Sequence, residues 1–156
     1  MKELNLVFVR HGETDYNLEP RRFQGILDVE LNETGIYQAE KLCKRLIENK
    51  YKFDKIYSSD LKRASKSIQP YLIDTGFNGI IYTEELRERD SGTLNGKTVE
   101  GVRSNLKPGE TLADLLNKQG EHYSKFQNRV ENFIQKVIMD ELVNLDEICK
   151  KEVLLV

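Results

Sequence analysis

The chain opens with a short apolar segment that is followed at once by polar residues. Residues 4–9 are rich in β-branched and aromatic side chains, which predicts a buried strand. Arg10, His11 and Gly12 come directly after this segment and begin a polar cluster. The abrupt change predicts that a loop with a functional role follows the first strand.

Between residues 32 and 83 the pattern alternates between helical and extended. Asn32 is a typical helix cap, and the apolar positions after it recur at spacings of three and four. Ser58, Ser59 and Asp60 offer capping side chains for a further helix. Because parallel strands need crossover helices, the alternation predicts an α/β domain. The predicted elements are a helix from Asn32 to Lys50, a strand over residues 53–57, a helix that ends near Gly76 and a strand over residues 79–83.

The second half of the chain predicts one long helix and a final strand. A loop that contains several glycines extends from Glu88 to Gly109, and Thr111 with Asp114 then resembles a capping box. A core-packing helix is preferred over a coiled coil, because Gly120 interrupts the apolar pattern. Residues 152–156 predict a fourth strand. With Gln119 as a polar gap, the apolar positions of the helix are Leu112, Leu116, Tyr123, Phe126, Val130, Phe133 and Val137.

Composition describes one ordinary globular domain over residues 1–156, of which 38% are hydrophobic. The 24 Lys and Arg residues nearly balance the 26 Asp and Glu residues, whereas proteins that bind nucleic acid or membrane surfaces usually carry a basic excess. We therefore expect neither kind of partner. No apolar run approaches the ~18 residues of a membrane helix, and the N-terminus lacks the features of a signal peptide. The chain is expected to be cytoplasmic.

Cysteine and histidine are scarce in this chain. Cys43 and Cys149 are too few for a disulfide framework or a four-ligand zinc site, and we expect both thiols to be reduced. The histidines are His11 and His122. A metal site is therefore poorly supplied, and we expect neither a metal nor another cofactor.

Charged side chains follow the carboxyl ends of three predicted strands, which is where open α/β sheets bind their ligands. Arg10 and His11 follow the first strand, Arg63 lies near the start of the helix after the second, and Glu88 follows the third. Histidine suits a nucleophile or an acid–base catalyst near neutral pH, and the fixed donors of arginine match phosphate oxygens. A nucleophile, a charge clamp and a proton donor at one edge predict phosphoryl transfer.

Five ordered blocks resemble the histidine phosphatase superfamily, also called the phosphoglycerate mutase-like family. They extend over essentially the whole chain, and this number of blocks is far more specific than one Arg-His-Gly tripeptide. The resemblance implies a three-layer α/β/α sandwich with a mainly parallel sheet. The blocks are residues 10–14 with Asn17, residues 22–25 with 28–39, residues 58–64, residues 86–96 and residues 108–111.

The resemblance implies a role for each site residue. His11 would be the nucleophile that takes the phosphoryl group of a small-molecule phosphate ester. Glu88 would protonate the leaving oxygen and then activate water, and no metal or other cofactor is required. The residues expected to bind the phosphate are Arg10, Asn17, Gln24, Gly25 and Arg63.

The substrate is less closely defined than the reaction. Family mutases carry a long insertion between the glutamate block and the Gly-Glu-Thr block, and the short segment from Glu88 to Gly109 therefore favours a phosphatase. These blocks also resemble the fructose-2,6-bisphosphatase-like branch, which suggests a sugar bisphosphate. Four further arginines are either solvated surface charges or cleft residues, and in the second case a substrate with more than one phosphate is favoured. They are Arg21, Arg22, Arg87 and Arg89.

The sequence departs from the family at its C-terminal end. The family places a second catalytic histidine in a Ser-His-Gly turn after a strand of the type that residues 153–156 form, and the chain ends on that strand. We therefore expect a domain that is truncated at its C-terminus. His122 falls within the predicted long helix, and it is expected to be a surface residue. Loss of one such group costs transition-state stabilisation of about 2–4 kcal/mol.

Two classes of function remain open at this point. The first is a phosphatase that acts through a phosphohistidine, with mutase-type phosphoryl transfer as its variant. The second is a non-catalytic phosphate-binding module, which could pair with a second copy through its unfinished edge as a homodimer. Both make use of Arg10, His11 and Arg63, whereas the catalytic hypothesis also needs Glu88.

Overall fold

The computed structural model describes residues 3–143 and 150–156. Within these residues, four parallel strands form one sheet in the order β1-β4-β2-β3. The strand predicted at the end of the chain is confirmed, and it lies between the first two strands. The strands are β1 (Glu3–Phe8), β2 (Lys55–Ser59), β3 (Ile80–Thr83) and β4 (Lys150–Leu155).

Helices cover both faces of this sheet, because successive residues of a strand point to opposite sides. On one face, Ile56 and Leu154 pack in a core with α1 (Glu33–Glu48) and α2 (Lys62–Thr75). On the other face, the neighbouring residues Tyr57 and Val153 pack against α5 (Tyr123–Val143). The predicted three-layer α/β/α arrangement is therefore confirmed.

The prediction of one long helix after Thr111 is wrong. The segment forms α4 (Leu112–Gln119) and α5, and Gly120 between them is extended, with φ −133° and ψ −153°. A Cβ at Gly120 would lie 2.3 Å from the carbonyl oxygen of Asp90, because the loop after β3 passes close by. The predicted capping box is confirmed, since the Thr111 hydroxyl accepts from Asp114 N at 3.1 Å.

The cap predicted for α2 is also wrong. Its cap residue is the apolar Leu61, and the polar residues before it make other contacts. The Ser58 hydroxyl donates to the carbonyl of Ser59, and the carboxylate of Asp60 accepts from Arg87. The left-handed residue that ends the helix is Gly76, with φ 66°.

Further elements lie within the segment that was predicted as a loop. It contains a 3-10 turn over Gly92–Leu94 and the short helix α3 (Val99–Ser104). Cys43 is a free, buried thiol, whereas Cys149 lies outside the described residues. Among residues 3–143 and 150–156, no helix is long and apolar enough to cross a bilayer.

Candidate active site

A cleft of about 470 Å³ opens where the strands end. Val9, Ser59 and Val156 line it at the carboxyl ends of β1, β2 and β4. This is the edge at which α/β sheets bind ligands. Of the residues predicted for the site, the lining includes Arg10, His11, Asn17, Gln24, Arg63 and Glu88.

The loop after β1 is fixed to two helices at once. Gly12 N donates to the hydroxyl of Ser67 at 2.8 Å, and that hydroxyl donates to the carbonyl of Arg63 at 2.7 Å. A Cβ at Gly12 would lie 2.6 Å from the carbonyl oxygen of Gly35, in the first turn of α1. Glycine at position 12 therefore permits the close approach that places His11 against α1 and α2.

His11 is held in a single tautomer. Its Nδ1 lies 2.7 Å from the carbonyl oxygen of Gly12, which can only accept, so Nδ1 carries the proton. This arrangement leaves the lone pair of Nε2 for chemistry. Burial lowers the pKa of His11, and the charges of Arg63 and Arg10 lower it further, against the opposing effect of the Gly12 carbonyl. The imidazole is therefore neutral at pH 7.

Arg63 is the fixed cation of the cleft. It is 2% exposed, and its guanidinium donates to the carbonyls of Leu27 and Gly25, each at 2.7 Å. Gly25 has φ +47°, and a Cβ there would lie 2.0 Å from Asn95 Oδ1. Gly25, predicted as a phosphate ligand, is not among the residues that line the cleft, and its carbonyl instead holds the side chain of Arg63 in place.

Glu88 completes the charged part of the cleft. Its Oε2 lies 3.2 Å from a guanidinium nitrogen of Arg63. About half of the side chain, 51%, stays accessible because it faces the open cleft, while the cleft walls replace much of the bulk water around it. This burial raises the pKa of Glu88, although Arg63 and Arg10 oppose the shift. A carboxyl group with a raised pKa is suited to act as a general acid.

Asn17 and Gln24 are organised by one buried residue, Thr14. Thr14 N donates to Oδ1 of Asn17 at 3.0 Å, and the Thr14 hydroxyl donates to Oε1 of Gln24 at 2.9 Å. Thr14 itself is fully buried. Because the oxygen of each amide faces Thr14, the amide NH2 groups are the donors that remain for a ligand.

The four further arginines, which the sequence allows to be either surface charges or cleft residues, divide into two pairs. Arg87 Nε donates to the carboxylate of Asp60 at 2.7 Å, and Arg89 Nε donates to the carbonyl of Glu121 at 2.7 Å. These two side chains therefore tie surface segments together. Arg21 and Arg22, in contrast, line the cleft.

The structure also shows positioning residues that the sequence reasoning missed. Ser67 and Thr14 support the arginine and the amides, and Leu27 contributes through a backbone carbonyl, for which no side-chain signal exists. His122 is exposed and lies before the first residue of α5, outside the helix in which it was predicted. In the described part of the chain, no three His, Cys, Asp or Glu side chains converge on a possible metal site.

Fold and site together define an α/β domain whose cleft is lined by four arginines and a neutral histidine. The sequence profile of the histidine phosphatase superfamily (branch 1) matches residues 6–143. The chain belongs to this superfamily.

Similar proteins include both mutase-like and phosphatase-named members. Phosphoglycerate mutase-like protein 4 of Arabidopsis thaliana is 35% identical over 139 residues, which cover 85% of this chain and 59% of that protein. A probable phosphatase of Schizosaccharomyces pombe is 33% identical over 136 residues, which cover 87% and 61%. The chain thus spans 59–61% of the length of these curated relatives. The structure of mycobacterial glucosyl-3-phosphoglycerate phosphatase with VO3 has a TM-score of 0.76 at 28% identity, covering 97% of this chain and 74% of that one.

Proposed function

We propose that this protein is a phosphatase that hydrolyses a phosphate monoester of a small metabolite through a phosphohistidine on His11. The observation that carries the proposal is the pairing of a neutral histidine, fixed by Gly12, with a glutamate whose pKa is raised in the same cleft. Two-step group transfer requires an unprotonated nucleophile and a protonated acid in one cleft at the same pH.

In the first step, Nε2 of His11 attacks phosphorus and the bond to the ester oxygen breaks. The protonated Glu88 gives its proton to that oxygen, so that an alcohol leaves. Arg10 and Arg63 stabilise the charge that develops on the transferring group, and the amide groups of Asn17 and Gln24 donate to it as well. The fixed position of Arg63 means that little reorganisation is needed.

In the second step, the Glu88 carboxylate takes a proton from water while the water oxygen attacks phosphorus. The bond from phosphorus to Nε2 breaks, and inorganic phosphate leaves. Glu88 is then protonated again and His11 is neutral again. The cycle is closed without any further reactant.

A sugar bisphosphate, such as fructose 2,6-bisphosphate, is the substrate that we propose within this class. Arg21 and Arg22 in the cleft lining support a substrate with more than one phosphate. The compact segment between Glu88 and Gly109, which contains a 3-10 turn and α3, favours hydrolysis over mutase-type transfer.

The proposal includes a second catalytic histidine that follows β4, as the family resemblance implies. Val156 lines the cleft and is held against β2, because Val156 N donates to the carbonyl of Tyr57 at 3.0 Å and Ser59 N donates to the carbonyl of Val156 at 2.9 Å. Because Val156 and His11 line the same cleft, we place the second histidine of a longer chain at that cleft.

The test is release of inorganic phosphate from phosphate esters, measured for the 156-residue chain and for the chain encoded by the complete reading frame. His11→Ala is expected to abolish release and the acid-labile phosphate label on histidine. His122→Ala serves as the matched control, because His122 is exposed and is not among the residues that line the cleft. Release should persist in EDTA. Binding of phosphate without release or labelling in either chain would instead identify the non-catalytic module, and transfer to an added phosphoglycerate would identify a mutase.

A further inference from the structure

We propose that Arg21 binds a second anionic group of the substrate and thereby sets a preference for doubly anionic compounds. This inference rests on the proposed function and names the substrate class of the same cleft. Arg21 lines the main cleft and an adjoining cleft of about 450 Å³. Arg10, His11 and Asn17 also line both. Arg21 therefore borders both spaces, as His11 does.

The partners of the neighbouring arginines explain why Arg21 is the available one. Arg63 is held by two carbonyls and by Glu88, and Arg87 is paired with Asp60. Arg22 donates to the carbonyl of Gly96 at 2.8 Å. The guanidinium groups of these three arginines are therefore held by contacts within the protein.

The ion pair of Arg21 differs from these contacts in its exposure. Arg21 Nε lies 3.2 Å from Oε1 of Glu19, and the two side chains are 69% and 79% exposed. Exposed ion pairs contribute little to stability, so Arg21 can exchange Glu19 for a substrate anion at small cost. A guanidinium binds phosphate or carboxylate through two parallel hydrogen bonds.

The backbone that carries Arg21 is held firmly, although its side chain is exposed. Val99 N, in the first turn of α3, donates to the carbonyl of Arg21 at 2.8 Å. Arg22 N donates to the carbonyl of Tyr16 at 3.1 Å, and Phe23 N donates to that of Lys97 at 3.0 Å. The charge of Arg21 is therefore presented from a fixed point of the cleft wall, which favours selective binding over a diffuse surface attraction.

The size and charge of the cleft agree with a substrate larger than one phosphate. Small-molecule sites usually measure roughly 300–1,000 Å³, and the cleft of about 470 Å³ lies in that range. Arg10 and Arg63 line the cleft together with His11, and Glu88 balances one of these two charges. Once Arg21 exchanges Glu19 for a substrate anion, its positive charge binds a second anionic group.

The experiment compares pairs of compounds that differ by one anionic group. Steady-state kinetics are measured with fructose 6-phosphate and fructose 1,6-bisphosphate, and with glycerol 3-phosphate and 3-phosphoglycerate. Arg21→Gln should raise KM about tenfold for the doubly anionic member of a pair and leave kcat and the other member nearly unchanged. Arg45→Gln, an exposed arginine of α1, removes the same charge elsewhere and should change neither. Equal effects of Arg21→Gln on both members, or no effect, would overturn the inference.

Calorimetric binding of the same four compounds separates this inference from the proposed function. If no compound is hydrolysed but the doubly anionic ones bind more tightly and lose this advantage in Arg21→Gln, the proposed function fails and the anion site stands. If esters are hydrolysed and Arg21→Gln behaves like Arg45→Gln in both measurements, the function stands and the anion site is wrong. A wild-type chain that binds both members of each pair equally also contradicts it.

Discussion

Burial in one cleft moves the pKa values of His11 and Glu88 in opposite directions. Loss of hydration disfavours the charged form of each group, which is the cation of histidine and the anion of glutamate. The result is a neutral imidazole in the same cleft as a carboxyl group that keeps its proton to higher pH. Arg63 and Arg10 help the first shift and oppose the second, so burial is the effect that decides the behaviour of Glu88.

These directions predict the pH dependence of kcat/KM and its change in Glu88→Gln. Neutral His11 is lost as the pH falls through its lowered pKa, and protonated Glu88 is lost as the pH rises through its raised pKa. Activity should therefore fall at both ends. Glu88→Gln should remove the alkaline limb and slow hydrolysis of an alkyl phosphate about 10²–10⁴-fold.

Rapid mixing with p-nitrophenyl phosphate sharpens this test, because its leaving group needs little help from an acid. In Glu88→Gln the first turnover should remain fast and phosphohistidine should accumulate, since water activation is lost. Glu40→Gln, at an exposed position of α1, is the matched control. A variant that hydrolyses alkyl phosphates at the original rate would remove Glu88 from this role.

For single residues, the sequence predicted which side chains line the cleft but not which contacts each of them makes. The ends of parallel strands must share one edge, so the meeting of His11, Arg63 and Glu88 followed from the alternation of strands and helices. The use of Gly25 as a support for Arg63 did not follow, because it depends on a backbone carbonyl. The pairing of Arg87 with Asp60 was equally hidden, since it joins two loops that are distant in sequence.

Among the helices, the junction between α4 and α5 gives a prediction about Gly120→Ala. One continuous helix and two separate helices predict opposite changes in the free energy of unfolding. If Gly120 lay inside one long helix, Gly120→Ala would stabilise the protein by about 1 kcal/mol. In the structure, the new Cβ would lie 2.3 Å from the carbonyl oxygen of Asp90, which is backbone and cannot rotate away. We expect Gly120→Ala to lower the free energy of unfolding by about 1–3 kcal/mol.

Urea unfolding followed by circular dichroism measures this change. Gly79→Ala is the control, because its Cβ would meet the ring of Phe77, a side chain that can move. An increase in the free energy of unfolding for Gly120→Ala would show that the two helices are continuous.

The fold was legible in the sequence wherever one element determines its own pattern. Apolar spacing identified α1, α2 and the four strands, and the Thr111 capping box marked the start of α4. The sequence pattern failed to predict the structure where a contact with a residue distant in sequence overrides it. The loop at Asp90 breaks the helix at Gly120, and Arg87 draws Asp60 away from the cap of α2. The insertion of β4 between β1 and β2 is a long-range pairing that no local signal reveals.

Across the whole molecule, the two edges of the sheet serve different purposes. The carboxyl edge opens into the cleft, whereas a buried ion cluster lies towards the amino edge. Glu141 of α5 is fully buried there, with Lys55 Nζ 2.6 Å from its Oε1 and Lys151 Nζ donating to Oε2 at 3.0 Å. The contact with Lys55 is a close ion pair without hydrogen-bond geometry. The cluster joins α5 to β2 and β4, the two central strands of the sheet.

Glu141→Gln should therefore destabilise the fold without changing the cleft. Removing one partner from a buried ion pair costs about 3–5 kcal/mol, and partial exposure of the two lysines places our expectation near the lower end. Although burial opposes it, the contacts of Lys55 and Lys151 lower the pKa of Glu141 below 4.5. The contribution is thus present above the unfolded-state pKa and is lost as the pH falls through the folded-state value. The difference in unfolding free energy between the original chain and Glu141→Gln should be full at pH 7 and shrink in acid, while the affinity for phosphate at pH 7 stays unchanged. A difference that stays constant with pH would show that Glu141 stabilises the fold through packing and not through its charge.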